Sequence, residues 1–275
     1  MRLILRRVRY QEFDPSARLA AVVEKYWILE GLSAEALAKA DGWECILPDG
    51  RAELIFHYGE PFARRVAGAR VEVQPRAMFV GQITAPACLQ PRGMAGVAAI
   101  RLRPEATGLF GPPAAAVTDT FLPLDSLTRT DRVLEQLAGA TTDRDRIDVL
   151  ERFLTRSLRA MPRPEVAFAT ECLIRHGGAL SIDAVATWAG VPRRQLERRF
   201  QSDVGVSPKS FARLLRMNRA ARLILSDASL ADIAAACGYC DQAHMSNDFR
   251  RLIRQSPQEW QRMAGTVGPL FVGGT

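Results

Sequence analysis

Apolar residues change their spacing along this 275-residue chain. From Leu3 to about Val117 they come in short runs: Cys45-Ile46-Leu47, Ala52 to Tyr58, Val66 to Val73, Ala77 to Ile83 and Val97 to Leu102. Pro48-Asp49-Gly50, Gly59-Glu60-Pro61, Pro75, Pro86 and Pro91-Arg92-Gly93 punctuate them. Short β-compatible runs at this spacing predict the strands of a barrel or sandwich. Ser33 to Ala40 fits either a short helix or an extended loop, and Arg103-Pro104-Glu105-Ala106 predicts the start of another short helix. From Leu122 the spacing turns helical, with Leu127, Val133, Leu134 and Leu137, then Ile147, Leu150, Phe153, Leu154 and Leu158. Arg144, Arg146, Arg152 and Arg156 fall on the polar side of the second pattern. That helix either packs on its own domain or forms a dimer contact. Met161-Pro162-Arg163-Pro164 breaks the pattern and predicts a domain boundary.

Past that break every element reads as helical. Glu165 to His176 ends at Gly177-Gly178, and Ser181 caps Ile182 to Ala189, with Asp183 in its first turn. A turn at Gly190-Val191-Pro192 leads into Arg193 to Ser202, which buries Leu196 and Phe200. Ser207-Pro208 opens a long helix to about Ser226. Ser229 caps the next helix, Gly238-Tyr239 turns, and a helix from about Asp241 puts Met245, Phe249, Leu252 and Ile253 on one face. Ser256-Pro257 starts a last short helix, and the Gly-rich tail from Gly265 to Thr275 is expected to be loosely held. The fold class is therefore α+β. Its predicted parts are a strand-rich domain with flanking helices over 1–161, a linker at 162–164, an all-α domain over 165–264 and a tail over 265–275.

The helical part contains a repeat offset by about 48 residues. Ser181, Ile182, Val185, Ala186 and Gly190 match Ser229, Leu230, Ile233, Ala234 and Gly238. After one added residue, Phe200, Ser207-Pro208, Phe211 and Arg213 match Phe249, Ser256-Pro257, Trp260 and Arg262. Caps, core positions and turns are repeated, whereas the exposed positions differ. Each unit is two helices around a Gly turn, a helix-turn-helix whose second helix can enter a DNA major groove. The linking helix, Ser207 to Ser226, spans about 30 Å at ~1.5 Å per residue. That length suits two recognition helices in major grooves about 34 Å apart.

Charge agrees with this reading without identifying a partner. The net charge is +7, and from Arg163 onward there are 15 Lys and Arg against 10 Asp and Glu. No apolar run approaches the ~18 residues that span a bilayer, and the start MRLILRRVRY lacks the features of a signal peptide. A cytoplasmic location follows as the expectation. Five cysteines, Cys45, Cys88, Cys172, Cys237 and Cys240, are expected to be reduced thiols.

From Glu165 to about Met263 the chain resembles the AraC/XylS family of transcription regulators. The motif stands here as Leu230-Ala231-Asp232-Ile233-Ala234, Gly238-Tyr239, Gln242-Ala243-His244, Phe249-Arg250 and Ser256-Pro257. It departs at Arg254, where the family usually has Gly, and at Pro192, which replaces a capping Ser. The resemblance implies a regulator of transcription with double-stranded DNA as partner, and RNA polymerase if it activates. The first part resembles, more weakly, the cupin-like barrels that sense a small-molecule effector or form a homodimer in that family. Its most family-like segment is Pro48 to Phe56, with Gly81-Gln82 and Arg101-Leu102 behind it. The residues themselves fit a tight turn leading into a buried strand better than ligand contacts.

Base readout is assigned to Arg194, Glu197, Arg198, Gln242, His244 and Asn247. Arg can pair with guanine O6/N7, Gln with adenine N6/N7, and Glu can accept from cytosine or orient an arginine. Asn247 stands where several family members carry a base-contacting Arg, so weaker readout is expected from the second helix. Arg193, Arg216, Arg219, Ser246, Arg250 and Arg251 are assigned to phosphates, which position without specifying. Trp43, Glu53 and His57 are the effector candidates. Only His57 of the three histidines lies in the strand-rich part, which argues against a multi-histidine metal site. Cys237 of the Cys237-Gly238-Tyr239-Cys240 run suits a small core residue better than a zinc or redox role. No cofactor and no enzymatic activity are expected. The alternative is a DNA-repair or cupin-type enzyme with an appended DNA-binding module, which needs an activated Cys45 or Cys88.

Overall fold

A computed structural model describes residues 8–264, save 37–41, 67–69, 159, 225 and 227. The tail from Gly265, the first seven residues and the second half of Ser33–Ala40 lie outside the described residues. Among the described residues the amino-terminal domain has ten strands: β1 (Arg9–Phe13), β2 (Val23–Glu30), β3 (Glu44–Ile46), β4 (Glu53–His57), β5 (Phe62–Arg65), β6 (Val71–Val73), β7 (Ala77–Val80), β8 (Ala87–Pro91), β9 (Gly96–Leu102) and β10 (Phe121–Pro123). They form two sheets and not a closed barrel, the sandwich of the two expected alternatives. One sheet has six strands in the order β1-β2-β9-β4-β7-β10, and the other has four in the order β3-β8-β5-β6. The run Val66 to Val73 is not one strand, because the chain turns between β5 and β6, which pair antiparallel.

The six-stranded sheet is covered on both faces. On β4, Leu54 and Phe56 point to one side, whereas Glu53, Ile55 and His57 point to the other, as the two-residue strand period requires. Tyr26 and Ile28 of β2 and Ile100 and Leu102 of β9 join Leu54 and Phe56 in the larger core. Over that core lie α1 (Asp131–Gly139) and α2 (Asp143–Ser157). Thr142 caps α2 in a capping box with Asp145, and Ile147, Leu150, Phe153 and Leu154 face the sheet. The Phe153 ring meets Phe56 edge-on at 5.2 Å. Thus α2 packs on its own domain. Arg146 is not on the polar side, as expected, but buried, paired with Glu30 at 3.4 Å and Asp143 at 3.6 Å, its guanidinium 4.9 Å from the Tyr58 ring. Leu127 precedes α1 and is partly exposed.

Cys45 and Cys88 are joined by a disulfide between β3 and β8, where the register sets them opposite one another. The expectation of reduced thiols is corrected for this pair. Cys172, Cys237 and Cys240 are free, and burial pushes the Cys172 and Cys237 thiols up.

The carboxyl-terminal domain is α3 (Pro164–Arg175), α4 (Ile182–Trp188), α5 (Arg193–Val204), α6 (Pro208–Leu223), α7 (Leu230–Ala236), α8 (Gln242–Leu252) and α9 (Pro257–Ala264). It has two cores, one per unit. Leu173, Val185, Leu196, Phe200 and Phe211 form the first, and Ile233, Met245, Phe249, Leu252 and Trp260 belong to the second. The α6 helix contributes to both. It is 16 residues long, so about 24 Å, shorter than the 20-residue helix the sequence predicts because Ile224 ends it.

The two domains pack directly against each other. The 3-10 turns Pro104–Leu109 and Ala114–Ala116 lie on the carboxyl end of α5. Thr118 Oγ1 donates to Gly205 O at 2.9 Å, and Thr170 Oγ1 donates to the buried Glu105 at 2.6 Å. Burial pushes the Glu105 carboxyl up. The segment Leu47–Arg51 forms the second contact. Leu47 enters the core of the second helix-turn-helix unit, Asn218 Nδ2 of α6 donates to Pro48 O, and Gly50 lies against the Phe211 ring.

Candidate nucleic-acid interface

Each unit presents its second helix on a scaffold that its own sequence builds. Ser181 Oγ accepts from Ala184 N at 3.2 Å and Ser229 Oγ from Asp232 N at 3.1 Å, so α4 and α7 start with capped N–H groups. The turns then need a left-handed residue, supplied by Gly190 (φ 68°) and Gly238 (φ 73°). Asp241 caps α8, accepting from His244 N at 2.6 Å. Pro192 gives α5 no side-chain cap. Arg193 instead ties the start of α5 to α4, donating to both Asp183 oxygens at 2.9 and 3.1 Å and to Glu197 at 2.9 Å.

The recognition helices are fixed from behind. The Phe200 and Phe211 rings meet at 5.5 Å, and Arg199 pairs with Glu165 of α3. In the second unit Arg213 of α6 bonds the buried Asp248 at 3.1 Å, and Trp260 Nε1 donates to Ala221 O at 3.0 Å. Gly205 ends α5 at φ 95°, and the equivalent turn in the second unit holds Arg254 at φ 64°. Arg254 therefore adopts the left-handed conformation that its replacement of Gly demands.

Outward from this scaffold stand the residues singled out for DNA. Arg194 and Arg198 are exposed one turn apart on α5 and carry no ion pair among the described residues. Glu197 accepts from Arg193 Nε at 2.9 Å. On α8, Gln242, His244, Asn247, Arg250 and Arg251 are exposed and Ser246 is half-buried. The His244 ring lies edge-on to Tyr239 at 5.2 Å, and Asn247 Oδ1 accepts from Arg250 Nη1 at 3.3 Å. The α6 arginines are placed differently. Arg216 is half-buried with its guanidinium 5.4 Å from the Tyr239 ring. Arg219 lines a groove between the domains together with Arg51, Arg175 and Asp49.

Of the effector candidates, Glu53 and His57 line a cavity between the two sheets, whereas Trp43 stands outside it with the Arg65 guanidinium 4.3 Å from its ring. The sequence reading missed Tyr10, Trp27, Gln74 and Arg101, which line the same cavity from other strands and loops. Only the Glu53-x-Ile55-x-His57 alternation could have announced it. Glu53 accepts from Trp27 Nε1 at 2.9 Å and Arg101 Nε at 3.1 Å. Burial pushes the Glu53 carboxyl up against the opposing Arg101 charge. Gln82 and Arg101 hold the family-like segment in place, Gln82 Nε2 donating to Gly50 O at 2.8 Å. Among the described residues no three His, Cys, Asp or Glu side chains group as metal ligands.

A helix-turn-helix domain family matches residues 185–263, and a domain family of unknown function, DUF6597, matches residues 11–123. The HTH-type transcriptional activator RhaS of Escherichia coli O139:H28 is 38% identical over 78 residues, 28% of each chain. This chain thus spans little more than a quarter of the length of such curated relatives. Among solved structures, an AraC-type DNA-binding domain-containing regulator from Chromobacterium violaceum is 31% identical, covering 38% of this chain and 95% of its own, with a TM-score of 0.35. ToxT from Vibrio cholerae is 11% identical over 80% of this chain and 94% of its own, with a TM-score of 0.47.

Proposed function

We infer that this chain, which belongs to the AraC/XylS family through its carboxyl-terminal domain, is a sequence-specific DNA-binding transcription regulator. The observation that carries the reading is the pair of repeated helix-turn-helix units whose second helices expose Arg194, Arg198 and Gln242. In this reading α5 and α8 enter successive major grooves of one DNA site. Arg194 and Arg198 read bases from α5, with Glu197 holding Arg193 at its start. Gln242, His244 and Asn247 read from α8, more weakly. Arg250, Arg251 and Ser246 hold phosphates, and Arg216 stiffens the base of α8 through Tyr239. Arg193 and Arg219 contribute through charge, since one is engaged by Asp183 and Glu197 and the other faces the amino-terminal domain.

The amino-terminal domain then acts as the controlling part, through a small-molecule effector or a homodimer, and RNA polymerase is the further partner if the protein activates. It grips α5 at Gly205 and α6 at Phe211 and Asn218, so a shift in that domain changes how the two recognition helices are presented. The enzyme alternative loses its candidate nucleophiles, because Cys45 and Cys88 are bonded to each other.

The test is selection of bound duplexes from a random pool by the wild type, Arg198→Ala and Gln242→Ala. Each loss of a bidentate contact should relax preference at one position by about 1–3 kcal/mol. Unchanged preference in both variants overturns the assignment.

A further inference from the structure

The cavity between the sheets has two chemically distinct parts. Its volume is about 100 Å³, room for a single ring. Leu29, Ile55, Phe62, Leu89, Val97 and Phe121 give it an apolar middle. At one end His57 and Gln74 are almost wholly buried and stand beside one another, yet among the described residues no hydrogen bond of acceptable geometry reaches either ring nitrogen or either amide atom. A buried donor or acceptor without a partner is destabilising, because it has lost its bonds to water. Such groups call for an occupant that can both donate and accept.

The charges on the walls are already matched. Glu53 is bonded by Arg101 and Trp27, and Arg101 also reaches Glu12 at 2.8 Å. Arg51 pairs with Glu24 at 2.8 Å and its charge is also attracted by Asp49, whose carboxylate accepts from the Arg51 backbone N at 2.9 Å. An ion in this space would be buried without a counter-charge, which is strongly unfavourable. The walls therefore select an uncharged molecule.

One wall also leaves the domain. Leu47, Asp49 and Arg51 line the cavity, and the same segment seats Leu47 in the second DNA-binding unit, accepts from Asn218 at Pro48 O and rests Gly50 on Phe211. Gly50 at φ 79° lets the turn bring its backbone against that ring, 2.8 Å from where a Cβ would stand. A cavity occupant and helix α6 thus press on opposite sides of one five-residue turn.

We propose that this cavity binds a small uncharged ring molecule carrying one hydroxyl or amide group, and that the Leu47–Arg51 turn passes its occupancy to the linking helix α6. The ring lies over Ile55 and its polar group meets His57 and Gln74. The relay rests on the DNA-binding reading above, whereas the site does not.

The test uses the full chain with phenol as probe, and benzoate and benzylammonium as charged controls of the same ring size. Calorimetry without DNA reads the site. Phenol should bind at one site per chain, with both ions at least tenfold weaker. Gln74→Leu should weaken phenol about tenfold, and Ala87→Leu, which fills the cavity, should abolish binding. Absence of phenol binding, equal binding of the ions, or undiminished binding in both variants overturns the site. The relay is read by fluorescence anisotropy on a selected duplex with and without phenol. Phenol should change DNA affinity about fivefold or more in the wild type, in the range of ordinary coupling between sites. The change should shrink in Asn218→Ala, which cuts the turn from α6. Phenol binding with unchanged DNA affinity overturns the relay. A chain that binds no duplex at all sinks the DNA reading while the calorimetry still decides the site.

Discussion

Replacing His57 by Gln should remove a defined part of the acid sensitivity of this protein. His57 is 1% exposed, and burial, opposed by Gln74 and reinforced by Arg76, lowers its pKa from 6.5 to about 4. In the unfolded chain the imidazole takes up a proton as pH falls below about 6.5, but in the folded chain it does so only near 4. Stability is therefore fully present above pH 6.5 and is lost as pH falls through that window. The whole shift is worth about 3 kcal/mol, of which about 2 kcal/mol is already lost at pH 5. Glu24, Glu30 and Asp143, with lowered pKa values, and Glu53, Glu105 and Asp203, with raised ones, also titrate in acid. They remain in both proteins and cancel in the difference. The assay is urea denaturation of wild type and His57→Gln at pH 7.5 and pH 5.0. Wild type should lose about 2 kcal/mol more than the variant between the two pH values, whatever constant offset the substitution brings. Equal losses in the two proteins would refute the reasoning, because His57 would then exchange protons as freely folded as unfolded.

Three further outcomes follow from particular residues. Arg254→Gly should stabilise the second helix-turn-helix unit by about 0.5–1 kcal/mol in thermal unfolding, since a left-handed non-glycine residue is strained and Gly is not. Cys45→Ser with Cys88→Ser opens a loop of sequence separation 43 and should lower stability by about 4 kcal/mol, a loss that dithiothreitol reproduces in the wild type and leaves absent in the variant. Arg251→Ala should weaken binding to all duplexes alike and reduce the slope of log affinity against log salt by about 1, whereas Arg194→Ala should alter preference at one base pair.

The sequence by itself determined the carboxyl-terminal domain almost completely. Its helices are short and locally encoded: in each unit a cap (Ser181, Ser229), a turn (Gly190, Gly238) and an anchor (Phe200, Phe249) fall within about twenty residues. The repeat then revealed the exposed positions Arg194, Arg198 and Gln242 by elimination. Tertiary structure decided what depends on distant partners. Strand pairing across 43 residues brought Cys45 to Cys88, and the choice between a closed barrel and two sheets lay in long-range register that no local pattern encodes. Arg146 looked polar in the helical pattern but is buried because Glu30, Asp143 and Tyr58 converge on it. The cavity needed Glu53 and His57 of β4 to meet Gln74, Trp27 and Arg101 from elsewhere. The contact of Pro48 with Asn218, 170 residues apart, is of the same kind. Local periodicity specifies which face of an element is apolar, but only packing decides what that face meets.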